Sequence, residues 1–117
     1  MAELKPGIKR TDEVTVTEEM SPAHLAPKVV LSTPKMIELM EWAATLSVQP
    51  LLGEEKTTVG IHVNVSHEAA ALGGETVVVS SELVDVDRRR LTFAVSVRVG
   101  DRVVGRGTHE RFVIDRD

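Results

Sequence analysis

The chain contains no cysteine and no tyrosine, and its aromatic side chains are one tryptophan and two phenylalanines in 117 residues. Without thiols there is no disulfide scaffold, no thiolate nucleophile, and no zinc or iron–sulfur site built on sulfur. An aromatic content of 3% leaves few stacking platforms for bases. Fourteen basic residues against eighteen acidic ones give a net charge of −4, the wrong sign for a nucleic-acid binder. No apolar run approaches the roughly 20 residues that cross a bilayer. The opening Met1 to Gly7 lacks the hydrophobic segment of a secretory signal. A soluble, cytoplasmic protein is therefore expected, without membrane or nucleic-acid partners. What is present is 42% hydrophobic and 27% charged residues, a composition typical of a folded domain. One domain over residues 1–117 is expected, and at this length folding buries only about 65% of the chain's surface. A partner subunit would enlarge that modest core.

Hydrophobic periodicity supplies the architecture. Residues 1–12 are polar and read as a loose lead-in. Val14 and Val16 alternate with polar neighbours as a short strand. A loop with Pro22 and Pro27 follows, then extended Val29 to Ser32. Thr33 before Pro34 has the pattern of an N-cap with proline at the first helical position. Met36, Ile37, Met40, Ala43, Ala44 and Ser47 then recur at three- and four-residue spacing. This predicts a helix from Pro34 to about Val48, apolar around most of its circumference and stopped by residues 49–53. Four strands follow, over 57–66, 76–86, 91–99 and 102–114, joined by tight turns. Short turns require antiparallel neighbours. The expected class is α+β: an antiparallel sheet of five strands curled around one helix.

Four groups of residues can carry chemistry. Thr33 is either a helix cap or a hydroxyl placed beside amides that stabilise developing negative charge. Glu41 lies at the border of the helix's apolar arc, so it is either a rim residue reaching water or a half-buried acid placed for proton transfer. In Gly60 to His67, alternation puts His62 on one strand face with Gly60 and Asn64, while His67 ends the strand beside a small-residue turn. On the last strand His109 and Arg111 share a face with Val113, and Glu110 takes the other. An arginine there needs a carboxylate partner or a phosphate, most simply a cross-strand carboxylate. Arg88, Arg89 and Arg90 at a hairpin turn read as solvated surface, with a nucleotide phosphate as the alternative. The histidines are not ligand-spaced, and no metal site is expected.

Taken together, Thr33 with Glu41 eight residues on, Thr58 to His67, and Gly107 to Val113 resemble the fluoroacetyl-CoA thioesterase-like branch of the hotdog-fold superfamily. The likeness runs from about Val14 to Ile114. It implies a hotdog fold paired as a homodimer, with a tetramer left open. It also implies an acyl-CoA thioesterase that uses no cofactor, coenzyme A entering as part of the substrate. By that likeness Thr33, Glu41 and His67 are the catalytic set, Gly60 approaches the thioester, and Arg111 supports it at the substrate. The family's fluoroacetyl-specific member gates its site with phenylalanines before the helix. Residues 21–28 here contain none, so a different short or medium acyl group is expected.

Two rivals stand beside this reading, one still enzymatic and one of another class. A hotdog dehydratase or hydratase acting on an acyl-CoA or acyl-carrier thioester needs a histidine and an acid but no hydroxyl, so Thr33 counts against it. A non-catalytic acyl-CoA or small-ligand binding module has no reason to keep a half-buried acid, which costs free energy.

Overall fold

Met36, Met40, Ala43, Ala44, Val48 and Leu52 fall on one face of a single long helix and are all buried there. That face needs an apolar surface to lie on, and alternating valines provide it. In the computed structural model, which describes residues 3–117, the elements are β1 (Lys9–Thr15), α1 (Thr33–Leu52), β2 (Lys56–His67), β3 (Thr76–Asp87), β4 (Arg90–Val99) and β5 (Arg102–Asp115). Two short 3-10 turns, Glu18–Met20 and Ala23–Leu25, lie between β1 and α1. The five strands form one sheet in the order β1-β3-β4-β5-β2, every pair antiparallel. Val77, Val79, Leu83, Leu91, Phe93, Val95 and Val97 are buried with the helix residues in one core. Phe93, fully buried, contributes roughly 2–3 kcal/mol by itself. This is the helix-and-sheet arrangement that the periodicity predicts.

Three boundaries differ from the sequence reading. The lead-in is shorter: β1 starts at Lys9, and Gly7 already donates its N–H to the Leu83 carbonyl at 2.7 Å. Polar side chains hid this strand, because β1 is an edge with one face in water. The helix runs past Val48 to Leu52 and includes Pro50. A proline in the last turn removes one backbone bond, and Gly53 ends the helix at φ +76°. The Gln49 side chain ties this end to β2, donating to the Lys56 carbonyl at 2.8 Å and accepting from the Thr57 hydroxyl at 2.8 Å. Lastly, the helix cap is not Thr33.

Candidate active site

Ser32, one residue earlier, takes the cap. Its backbone is extended (φ −72°, ψ 155°), and its hydroxyl accepts from the Lys35 N–H at 3.2 Å. Ser32 is held in turn by its own N–H, which donates to the Met20 carbonyl. Thr33 thereby becomes the first helical residue and Pro34 the second. The Thr33 hydroxyl, released from capping, lies 2.6 Å from His67 Nδ1. His67 is the last residue of β2, paired with Gly105 of β5. Leu31 N–H to the Ala71 carbonyl, 2.8 Å, pins the approach to the helix against the loop that follows His67. An open cleft of about 380 Å³ lies over the pair, lined by Leu31, Thr33, His67, Glu68 and Ala69 among others. The adjacent acid Glu68 is committed elsewhere: the Ser66 hydroxyl, and then Arg106, hold its carboxyl below the usual range. Of the first-turn amides, Pro34 has no N–H and that of Lys35 goes to Ser32, which leaves the Thr33 N–H alone to meet developing charge.

The second half of the site depends on a bulge. Gly60 and His67 are seven residues apart, so in a regular strand they would face opposite sides. Here Gly60 pairs with Arg111 while His62 pairs with Glu110, and Ile61 is the extra residue. The inserted residue moves the alternation by one. Thr58 and Gly60 then share the helix-facing side with Val63, Val65 and His67. His62 goes to the other side with Glu110, which corrects the expectation that His62 and Gly60 share a face.

A family model described as FlK, fluoroacetyl-CoA-specific thioesterase, matches residues 11–117. The chain belongs to that family. A curated relative, the fluoroacetyl-CoA thioesterase of Streptantibioticus cattleyicolor, is 35% identical over 119 residues, spanning 95% of this chain and 86% of that protein. Two solved structures of the fluoroacetyl-CoA thioesterase superpose closely. A Phe-to-Ala variant in complex with fluoroacetate and coenzyme A has a TM-score of 0.87 at 35% identity, covering 97% of each chain. A Thr-to-Ser variant in complex with acetyl-CoA has a TM-score of 0.88 at 34% identity, covering 97% of this chain and 91% of that one. A hot-dog-like protein from Thermanaerovibrio acidaminovorans, 22% identical, superposes with a TM-score of 0.86 over 96% of this chain and 84% of that one, and shows the hotdog fold.

Within the fluoroacetyl-CoA thioesterase fold of this chain, Glu41, Gly60 and Arg111 come together in a groove of about 790 Å³ between α1 and β2, which Trp42 and Leu46 also line. A methyl placed on Gly60 would sit 3.0 Å from Glu41 Oε2, 3.2 Å from Arg111 Nη1 and 3.2 Å from His109 Cε1. Arg111 is only 7% exposed and does not close a direct ion pair with any carboxylate among the described residues, contrary to the cross-strand pair expected. Its partners are the Thr58 hydroxyl at 2.7 Å, the Thr58 carbonyl at 2.9 Å and His109 Nε2 at 3.1 Å. Burial lowers its affinity for the proton, and the charge of Glu41 opposes that.

The single chain thus holds the expected residues in two groups, Thr33 with His67 and Glu41 with Gly60 and Arg111. Thr33 and Glu41 are separated by about 12 Å of rise along α1, and no hydrogen bond links Glu41 to either member of the first pair. The sequence reading places His109 beside Arg111 and Thr58 at the start of a family-like stretch without giving either a role, and it does not single out Ser32. Ser32 carries a local signal, as a capping residue type just before the helical periodicity. The segment before the helix, where the gate was sought, is anchored by Ser21, whose hydroxyl accepts from the Val30 N–H at 3.0 Å. Arg88 and Arg90 lie on Asp87 at 3.3 and 3.1 Å at the β3–β4 turn, and Arg90 pairs with Phe112, the residue after Arg111.

Proposed function

We propose that this protein hydrolyses the thioester of a short or medium acyl-CoA, with Thr33, Glu41 and His67 carrying the chemistry and Gly60 and Arg111 receiving the thioester. Membership of the thioesterase family supports the reaction class. The observation that carries the assignment of residues is the 2.6 Å contact of Thr33 and His67 at a helix start whose cap is supplied by Ser32. A threonine not needed for the cap, with its hydroxyl on an imidazole nitrogen, has the arrangement of a nucleophile or a water-positioning group beside a general base. His67 takes a proton from Thr33 or from a water at the same place as the carbonyl carbon is attacked. The C–S bond then breaks, and the proton returns to the departing coenzyme A thiolate; where Thr33 is the attacking group, a water deprotonated by His67 then cleaves the acyl ester on Thr33, releasing the acid and restoring the hydroxyl. The Thr33 N–H and the Arg111 charge stabilise negative charge on the carbonyl oxygen. Glu41 orients the attacking group or serves as base.

The two groups of residues fit a site completed by a second copy. β2 is an edge strand of twelve residues, and Val59, Ile61 and Val63 along it are all exposed, Ile61 by 51%. An apolar edge of that length invites pairing. Two β2 strands paired about a two-fold axis run antiparallel, so the Gly60 end of one lies toward the His67 end of the other. Glu41 beside Gly60 is thereby carried toward Thr33 and His67 of the opposite copy. Trp42, 56% exposed on α1 next to Glu41, is covered in the same pairing.

Thiol release from a panel of acyl-CoAs tests the reaction, and absence of turnover on every chain length ends the proposal. His67→Ala and Glu41→Ala should each lower kcat by about 10²–10⁴-fold. Mixing inactive Thr33→Ala and Glu41→Gln proteins tests the shared site. Random reassembly gives heterodimers with one intact site, and so about a quarter of wild-type activity. No recovery on mixing would place the two groups' cooperation within one protomer or dispense with it.

A further inference from the structure

His109 has no part in the scheme above, yet it is the most completely buried titratable side chain of the described residues, 1% exposed, on the wall of the Gly60 gap. Its protonation can be read from its neighbours. Nδ1 lies 2.9 Å from the His62 carbonyl oxygen, which can only accept, so Nδ1 carries a hydrogen. Nε2 lies 3.1 Å from Arg111 Nη1, which can only donate, so Nε2 presents a lone pair. Only the neutral imidazole protonated on Nδ1 satisfies both. The surroundings agree: burial pushes its affinity for a proton down, and the Arg111 charge adds to this, against the His62 carbonyl, Glu41 and Glu110. Phe93, with its ring centroid 6.5 Å away, supplies an apolar neighbour.

The partners of this ring are the two features that shape the groove. His62 is the residue at which pairing resumes after the β2 bulge, so the Nδ1–H bond ties the ring to the backbone distortion that puts Gly60 and His67 on one face. Arg111 has five N–H donors, of which Nε–H and one on Nη2 go to Thr58. His109 takes one of the two on Nη1. The other belongs to the nitrogen that borders the space in front of Gly60, which Glu41 Oε2 also borders.

We infer that His109 is a positioning residue for thioester hydrolysis, acting as a neutral acceptor that orients the Arg111 guanidinium so that its uncommitted Nη1 hydrogen faces the Gly60–Glu41 gap. The role rests on the thioesterase reading and goes beyond it, because the imidazole itself touches no reacting atom. It also accounts for a histidine where an apolar residue would pack with less desolvation cost. An imidazolium at this point would set a second cation against Arg111 and lose the acceptor.

Two variants cut the two bonds separately. His109→Gln reaches the Nε2 position and keeps an acceptor for Arg111, whereas His109→Asn keeps a donor for the His62 carbonyl and loses that acceptor. The expected result is a kcat loss of about 10–100-fold for His109→Asn, with KM little changed, and substantial rescue in His109→Gln. Equal kcat in both variants, or losses that follow their melting temperatures, would overturn the role. Nitrogen-15 spectra of the wild-type imidazoles give an activity-independent readout. They should show His109 as the Nδ1–H tautomer, and an Nε2–H signal would refute the inference while leaving the hydrolase untouched. A wild-type protein inactive on every thioester, with the expected tautomer present, would remove the thioesterase reading and the role with it, while leaving the hydrogen-bond geometry standing.

Discussion

Gly60→Ala separates stability from turnover at the position where the groove is tightest. The added methyl meets three neighbours: Glu41 Oε2 at 3.0 Å, Arg111 Nη1 at 3.2 Å and His109 Cε1 at 3.2 Å. Glu41 is the end of a flexible side chain and yields by a few tenths of an ångström. Arg111 and His109 are held by four hydrogen bonds between them and do not yield so readily. Removing a glycine's freedom from the unfolded chain returns about 0.4–1 kcal/mol, comparable with the crowding. The net change in stability should be within about 1 kcal/mol, which moves the melting temperature by no more than about 4–8 °C. Catalysis has no such compensation under the proposed function, because the methyl occupies the space which that proposal gives to the thioester. A displacement of about 1 Å at the reacting group costs on the order of 10²-fold in rate. Melting curves and acyl-CoA steady-state kinetics on the same preparation measure both. Wild-type kcat/KM at an unchanged melting temperature would mean that the acyl group does not enter beside Gly60, and the placement of Glu41 and Arg111 at the substrate would be withdrawn.

Ser32→Ala should cost about 1 kcal/mol of stability by melting and also lower kcat, because the Lys35 N–H then competes with His67 for the Thr33 hydroxyl; Thr33→Ala, by contrast, should leave the cap and the melting temperature nearly intact. A pH series of melting temperatures reads His109. Its folded-state affinity for protons is depressed, so below its unfolded value of about 6.5 the unfolded chain binds a proton that the folded chain refuses. Stability therefore falls as pH drops from about 6.5 toward the folded value. His109→Asn should remove that slope, so that the gap to wild type narrows with acidification, and a gap constant with pH would contradict it. The carboxyls of Glu75 and Asp115, held low by Arg102 and Lys56 respectively, contribute only further into acid.

How much of this was legible beforehand depends on the range of each interaction. The helix face and the inward residues of β3 and β4 repeat over ten or more residues, and the burial pattern returns those positions, whereas Val59, Ile61 and Val63 of β2 are exposed. Thr33, Glu41, His67, Gly60 and Arg111 were legible only as a set, through likeness to a family, since singly each has an ordinary structural role. The Ser32–Thr33 assignment turned on one residue of helix phase. Proline is favoured at the first helical position, yet here it occupies the second, and moving the cap by one residue converts Thr33 from a backbone acceptor into a partner for His67.

The β2 bulge was beyond any local rule. Val59, Ile61, Val63 and Val65 alternate without interruption, and nothing in that run marks Ile61 as unpaired. What forces the insertion lies on β5, fifty residues away. Arg111 must face the helix side to reach Thr58, as must His109 to reach Arg111, and Gly60 must open the space between them and Glu41. His67 must meet Thr33 on that same side. With Gly60 and His67 seven positions apart, a regular strand can satisfy one end only. The extra residue at Ile61 lets both ends face the helix, and the His62 carbonyl at the bulge is the acceptor that the His109 ring requires. The strand's departure from its own alternation is therefore dictated by the residues of the site, and an Ile61 deletion should separate the two ends of β2 onto opposite faces.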